Sequence, residues 1–133
     1  MSYPKGSSVN DHIPEEFSSV RYASISDAIS VIKQLGAGCF IAKTDIKSTF
    51  RIIPVYPKGH RLLGMKWANQ YYYDRALPMG CSSSCAILEA FSSALEWLSK
   101  HLFNASGVVH ILDDFLFIAP RSEERRVGKE CRL

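Results

Sequence analysis

The sequence lacks the features that place a chain in a membrane or stabilise it by cross-links. Its apolar runs fall well short of the roughly 18 residues that span a bilayer. The first residues do not combine a basic segment with an apolar one, so we expect no secretory leader. Its four cysteines include no Cys-x-x-Cys pair, which gives little support to a zinc site. We therefore expect free, buried thiols in an intracellular, reducing compartment, either cytoplasm or nucleus.

Net charge is also small, at +3, and it comes mostly from the end of the chain. Residues 121–133 hold five basic and three acidic side chains, whereas residues 1–120 hold eleven basic and ten acidic ones. The charge balance thus permits a polyanionic partner but does not argue for one. The last 13 residues resemble the translation of a sequencing-library adapter, so we expect a non-native tail there. A native basic tail is the alternative.

The hydrophobic share of 47% is enough for a folded core, and 133 residues make one domain at most. We expect this domain over residues 1–120. Hydrophobic spacing and turn residues predict its elements. They are a loop-rich opening at 1–24, a helix at 26–35 with Ser26 as N-cap, a strand at 39–46, a helical turn at 47–50, a hairpin at 62–77, a long helix over about 84–102 and a hairpin at 108–119.

These elements predict an α+β fold, with an antiparallel sheet and helices packed on one face. The strand at 39–46 shows little alternation of polar and apolar residues, so we expect a central strand covered on both faces. The opening at 1–24 resembles the end of a preceding element, and we therefore expect the domain to be truncated.

The sequence is organised around the adjacent aspartates Asp113 and Asp114. Two runs of β-formers flank them, Val108–Leu112 and Phe115–Ala119, so we expect both aspartates at the tip of a two-residue hairpin. Two carboxylates this close repel each other unless a cation lies between them. A plain acidic turn is one interpretation. A Mg²⁺ site is the other, and it requires a third carboxylate from elsewhere in the chain.

Asp45, at the C-terminal end of the strand at 39–46, is the candidate for this third carboxylate. A carboxylate in a covered strand is costly unless it is paired or bound to metal. Lys43 and Lys47 are close enough in sequence to pair with it, so the residue types alone leave both interpretations open.

Tyr71, Tyr72 and Tyr73 stand together in the hairpin at 62–77. Aromatic side chains in such a cluster can stack on nucleic-acid bases. They can equally pack across the two strands of the hairpin. Both interpretations stay open at this point.

Three stretches, taken in order, carry a resemblance to a known family. They are Lys43–Pro54 (KTDIKSTFRIIP), Leu77–Ser83 (LPMGCSS) and Leu112–Asp114 (LDD). Their order and spacing resemble the palm motifs of reverse transcriptases over residues 3–120. The amino-acid sequences of these motifs are similar to those of retrotransposons of the DIRS type, which carry a tyrosine recombinase. The resemblance implies a polymerase palm with part of the fingers, truncated at both ends.

The resemblance implies a catalytic and metal-binding role for three aspartates. Asp45 matches the first catalytic aspartate, and Asp113 and Asp114 match the pair in the third motif. The implied cofactors are two Mg²⁺ ions, with Mn²⁺ as an alternative, and Ile46 would offer its backbone carbonyl to one of them. Two-metal phosphoryl transfer needs ions about 3.5–4 Å apart, so we expect the three aspartates to converge within a few ångströms.

The resemblance also implies a nucleotide-binding role for Ile46, Phe50, Met79 and Gly80. Phe50 matches the aromatic that packs under the sugar, and Met79–Gly80 matches the segment that contacts the incoming nucleotide and the template. Three positions depart from the family pattern. Met79 stands where relatives often have Gln or Phe, Cys85 where many have Pro, and Ile111 where they usually have Tyr or another aromatic residue.

The implied partners are an RNA or DNA template with its primer and deoxynucleoside triphosphates, without a membrane. In the family, basic finger residues that hold the triphosphate precede the first aspartate, and the thumb follows the paired aspartates. We expect both to lie mostly outside these 133 residues. The parent protein would then be an RNA-directed DNA polymerase, and this fragment would be weak or inactive.

The main alternative is a catalytically inactive remnant that binds nucleic acid. A phosphatase with a nucleophilic aspartate needs an Asp-x-Asp after its first strand, but Ile46 and Lys47 follow Asp45. An aspartic protease needs Asp-Thr-Gly or Asp-Ser-Gly, and neither occurs in the sequence.

Overall fold

The computed structural model describes residue 1 and residues 4–121. The predicted non-native tail therefore lies outside the described residues, apart from Arg121. The chain divides into two compact units, and each is described by itself. The first unit comprises residues 1–20 and 47–90, and the second comprises residues 21–46 and 91 onward.

The regular elements follow the predicted alternation of helices and hairpins. They are α1 (Ile25–Leu35), β1 (Phe40–Asp45), α2 (Thr49–Ile52), β2 (Gly64–Trp67), β3 (Gln70–Tyr73), α3 (Ser84–His101), β4 (Gly107–Ile111) and β5 (Asp114–Ala119). Each strand pairing within residues 4–121 is antiparallel, which confirms the α+β class. Across residues 4–121, none of the helices combines the length and the apolar character needed to cross a bilayer.

The second unit contains a three-stranded sheet in the order β1-β5-β4. The predicted central position of β1 is wrong, because β5 occupies the centre and β1 lies at an edge of the described sheet. All six residues of β1 are exposed. The physical reason is that the β4–β5 hairpin offers one open edge to β1, whose Lys43 and Asp45 suit an exposed edge better than a covered centre.

Helices approach this sheet on both faces rather than on one. A Cβ atom on Gly107 would lie 2.6 Å from Val31 Cγ1 and 3.0 Å from Leu35 Cδ1, so glycine allows α1 to pack against β4. His110, three residues further along β4, faces the opposite side and pairs there with Glu96 of α3. The core between these layers includes Val108, Phe115 and Ile118, all buried.

The N-terminus of α1 is capped by Ser24, so the prediction of Ser26 as N-cap is wrong. Ser24 Oγ accepts a hydrogen bond from the Asp27 backbone N–H at 3.3 Å. The Asp27 carboxylate in turn accepts one from the Ser24 backbone N–H at 2.7 Å. Ser24, and not Ser26, is the N-cap because the acidic residue Asp27 stands three positions after it and completes a capping box.

In the first unit, β2 and β3 form a hairpin with a two-residue turn. The central residues Ala68 and Asn69 both adopt positive φ, at 46° and 61°. Both must do so in a type I′ turn, the type whose twist matches that of the flanking strands. Asn accepts this conformation readily and Ala does so at a cost, so the strand pairing, and not local preference, holds the turn.

We expect Ser24→Ala to lower the free energy of unfolding by about 1 kcal/mol, because one N-terminal N–H of α1 loses its acceptor. Urea unfolding followed by circular dichroism measures the change. Ser26→Ala is the matched control and should stay within about 0.5 kcal/mol of the unsubstituted chain. Equal losses for both variants would contradict the assignment of the cap.

The capping box also makes a pH dependence testable. Hydrogen bonds from the Ser24 side chain and backbone lower the pKa of Asp27 below its ordinary value. The stabilisation from a lowered carboxyl pKa is present above the unfolded value and is lost as pH falls through the folded value. The difference in stability between the unsubstituted chain and Ser24→Ala should therefore be constant near neutral pH and shrink at acid pH.

Candidate active site

The pairing of β1 with β5 places Asp45 directly opposite Asp114. One residue further, the Ile46 backbone N–H donates to the Asp113 carbonyl oxygen at 3.0 Å and extends the ladder beyond the strand ends. Hydrogen-bonded and non-hydrogen-bonded pairs alternate in antiparallel sheets, so Asp45 and Asp114 form a non-hydrogen-bonded pair. In such pairs the side chains share one face and approach each other most closely.

The turn of the β4–β5 hairpin consists of Leu112 and Asp113, because Ile111 pairs with Asp114. The prediction that both aspartates occupy the tip is therefore wrong by one residue. Asp114 is the first residue of β5, and this position lets it face β1. Leu112 adopts a left-handed φ of 54°, which costs a non-glycine residue roughly 1–2 kcal/mol. The hairpin thus stores local strain beside the two aspartates.

A lysine supplies positive charge to this acidic pair. Lys43 Nζ lies 3.0 Å from Asp114 Oδ1, with both side chains more than half exposed. Lys43 precedes Asp45 by two residues and shares its face of the strand. Lys43 therefore pairs with Asp114 across the strands, and not with Asp45 as considered above. Solvent screening makes such an exposed pair weak, so it offsets the carboxylate repulsion only in part.

The donor set fits a divalent cation by chemical type, since Mg²⁺ prefers carboxylate oxygens. Asp45 and Asp114 offer two such groups on one face, and the turn adds Asp113. In the part of the chain that the structure describes, however, no three His, Cys, Asp or Glu side chains are gathered closely enough to hold a metal ion. The backbone brings the three aspartates together, whereas their carboxylates do not form a complete metal site.

The sequence-predicted nucleotide residues are divided between the two units. Ile46 is half-buried and adjoins the acidic pair in the second unit. Phe50 is half-buried in α2, and Met79 and Gly80 are exposed in the turn before α3; all three belong to the first unit. Gly80 adopts a φ of +87°, where a side chain would be strained. The register therefore joins Ile46 with the three aspartates, all within the second unit.

Asn10 holds the Leu-Pro-Met-Gly turn, and sequence reasoning missed it. Its Nδ2 donates to the Gly80 carbonyl oxygen at 2.8 Å, and its Oδ1 accepts from the Ser82 backbone N–H at 3.0 Å. The buried Ser84 Oγ also donates to the Pro78 carbonyl oxygen at 2.7 Å. No sequence signal marks this role, because Asn10 lies in a loop-rich stretch 70 residues before the turn.

A buried histidine attaches the hairpin to α3. His110 is 7% exposed, and its Nδ1 pairs with the Glu96 carboxylate. Its ring stacks on Phe115 with the ring centroids 5.3 Å apart. Glu96 also pairs with Lys100 one turn further along α3. These contacts fix the strands that carry Ile111 and Asp114 at their ends.

Comparison with known proteins reveals similarity of fold. No family model and no curated protein sequence matches the chain. Among solved structures, the native protease-reverse transcriptase of prototype foamy virus aligns over 92% of the chain, at a TM-score of 0.62 and 21% identity. A foamy viral protease-reverse transcriptase in complex with an RNA/DNA hybrid aligns over 68% of the chain, at a TM-score of 0.52 and 21% identity.

The chain spans only 15% and 12% of the lengths of these two viral chains. At this level of identity, the alignments bear on the fold and not on the chemistry. The chain therefore has a mixed α+β fold similar to a segment of a reverse transcriptase.

The opposed carboxylates predict a gain in stability when one is neutralised. In the absence of divalent cations, Asp45→Asn should raise the free energy of unfolding by about 0.5 kcal/mol, because like charges directly opposite each other destabilise a sheet. Asp114→Asn should gain less, since it also removes the ion pair with Lys43. Urea unfolding in EDTA measures both values. Glu16→Gln, an exposed carboxylate of the other unit, should change little.

Proposed function

We propose that the chain is the palm part of a reverse transcriptase, whose parent adds deoxynucleotides to a primer on an RNA or DNA template. The observation that carries the proposal is the β1–β5 register, which sets Asp45 opposite Asp114 and beside Asp113. These are the residues that the motif resemblance names as catalytic. The similarity of fold to two protease-reverse transcriptases, one of them in complex with an RNA/DNA hybrid, adds support.

The proposed cofactor is a pair of Mg²⁺ ions, with Mn²⁺ as a substitute. The carboxylates of Asp45, Asp113 and Asp114 and the backbone carbonyl of Ile46 would hold them. When bound, such ions lower the pKa of the primer 3′-hydroxyl and neutralise the leaving pyrophosphate. The exposure of Asp45 and Asp114 suits a substrate that arrives from solvent, and Lys43 supplies a compensating charge while no cation is bound.

The chain's other motif residues would position the substrates. Phe50 would pack under the sugar of the incoming deoxynucleotide, and Met79–Gly80 would contact its base pair with the template. Asn10 and Ser84 would act indirectly, since their hydrogen bonds fix the turn that carries Met79. A turn held both by a side chain 70 residues earlier and by one six residues later keeps its shape without a ligand, which favours a preformed nucleotide site.

The parent protein would contribute the parts of a polymerase that this chain does not include. Because the chain spans at most 15% of these two viral chains, we propose that the thumb and most of the fingers come from elsewhere in the parent and that the isolated chain polymerises weakly or not at all. The amino-acid sequences of the three motifs favour a retrotransposon of the DIRS type as the source.

The second candidate function is a remnant that binds nucleic acid without chemistry. One observation favours it, namely that the three carboxylates are not gathered into a metal-binding group. Metal binding separates the two candidates, because only the polymerase requires the carboxylates to close around cations.

We expect Mn²⁺, added to the isotope-labelled chain, to broaden the amide resonances of residues 44–46 and 111–115 in NMR spectra, and excess Mg²⁺ to reverse the broadening. Asp45→Asn should lower the affinity at least about tenfold, since a ligand is lost. Glu16→Gln is the control and should bind like the unsubstituted chain.

Broadening that is unchanged in Asp45→Asn would contradict the proposed metal site and favour the binding remnant. Primer extension provides the second measure. A longer protein that restores fingers and thumb should extend a primer in Mg²⁺ and lose this activity with Asp45→Asn. Robust processive synthesis by the 133-residue chain alone would overturn the proposal that the parent's other segments are required.

A further inference from the structure

The β2–β3 hairpin presents a row of aromatic and basic side chains on one of its faces. Lys66 pairs with Tyr71 and Gly64 pairs with Tyr73, so Lys66, Tyr71 and Tyr73 share a face. His60 joins them, because its ring stacks on Tyr73 with centroids 5.1 Å apart. We call this set the tyrosine face. Tyr72 and Trp67 point to the opposite face of the hairpin.

The rings of the tyrosine face are not used to build a core. Tyr71 is 81% exposed and Tyr73 is 56% exposed, so cross-strand packing does not account for them. Lys66 Nζ lies 5.3 Å from the centroid of the Tyr71 ring, within the range of a cation–π contact. Adjacent exposed aromatic groups on a soluble unit commonly mark an interaction surface.

The charge around this face is positive. Residues 56–75 hold four of the eleven Lys and Arg side chains found between residues 1 and 120, but only one of the ten acidic ones. That single carboxylate, on Asp74, is already paired with Arg51. Residues 1–120 together are nearly balanced in charge, with eleven basic and ten acidic side chains. The segment 56–75 is therefore a local basic excess within them, and it complements a polyanion.

We propose that the tyrosine face binds an unpaired stretch of nucleic acid, with bases stacked on Tyr71 and Tyr73 and phosphates near Lys66. Residues two apart on a strand are about 7 Å apart, so each ring offers a separate stacking position. Stacking on aromatic side chains tolerates any base, because every base has a π-face. That this strand is the template ahead of the primer rests on the proposed function; the binding itself does not.

A single strand fits this face better than a duplex. Bases in a duplex are already stacked on their neighbours, so their faces are closed to tyrosine rings. A duplex could use only the basic side chains, and such contacts give weak, salt-dependent binding. Recognition through exposed rings on a sheet surface is instead a known mode for single strands.

Fluorescence anisotropy with a labelled oligonucleotide of about 12 unpaired nucleotides, at low salt and in EDTA, tests the proposal. Tyr71→Ala and Tyr73→Ala should each weaken binding at least about fivefold, since each removes a stacking platform. Tyr71→Phe should remain within about twofold, because the ring is kept. Lys66→Ala should reduce the slope of log affinity against log salt by about 0.7.

Tyr72→Ala is the matched control, since it removes the same side chain from the same strand on the opposite face. It should change binding less than about twofold. All variants keep the basic residues 121–133, so differences among them cannot arise from that segment. Circular dichroism melting verifies that each variant remains folded.

Three outcomes would overturn the proposal. Tyr72→Ala could weaken binding as much as Tyr71→Ala does, or a duplex of equal length could bind as tightly as the single strand. Alternatively, Tyr71→Ala could abolish self-association in light scattering while leaving the oligonucleotide affinity unchanged, which would make a second copy the occupant. Because EDTA removes divalent cations, failure here leaves the proposed metal site untouched, and failure of the metal titration leaves this face untouched.

Discussion

The antiparallel pairing of β1 with β5 is the constraint on which the candidate site depends. It runs over six residue pairs, from Phe40 with Ala119 to Asp45 with Asp114. Because side chains alternate between faces, a slip of one residue would carry Asp45 to the other side of the sheet. The same register sets the exposed Ile41 opposite the buried Ile118, on the face that carries the aspartates. One pairing therefore fixes the positions of the apolar residues at one end of the strand and of the carboxylates at the other.

This arrangement places two like charges opposite each other at the end of the sheet. Two carboxylates face each other at the strand end, and an exposed lysine offsets their repulsion only in part. The adjoining turn adds a leucine in the left-handed region. Features that break local rules without a structural gain tend to mark functional positions. The pairing of the strands alone gives no reason for these features at this position, and they coincide with the aspartates named by the motif resemblance.

Residues outside the motifs do much of the positioning. Gly107 lets α1 pack closely beneath β4, and the pair of His110 with Glu96 attaches the hairpin to α3. In the other unit, Asn10 fixes the turn that ends at Gly80. Asp45, Asp114 and Gly80 thus lie at strand ends and in a turn, exposed to solvent, while the residues that support these segments come from elsewhere in the sequence. Exposed groups on a rigid scaffold are a common solution for binding sites.

The sequence by itself determined the α+β class, the approximate bounds of most elements and the identity of the candidate aspartates. These depend on local periodicity, turn chemistry and short motifs, which neighbouring residues carry. Tertiary structure decided that β1 is an edge strand, that helices lie on both faces, that Asp114 belongs to the strand and that Lys43 pairs with it. It also decided the role of Asn10. Each of these depends on which distant segments of the chain come into contact. Local sequence patterns do not contain the free energy of such long-range contacts.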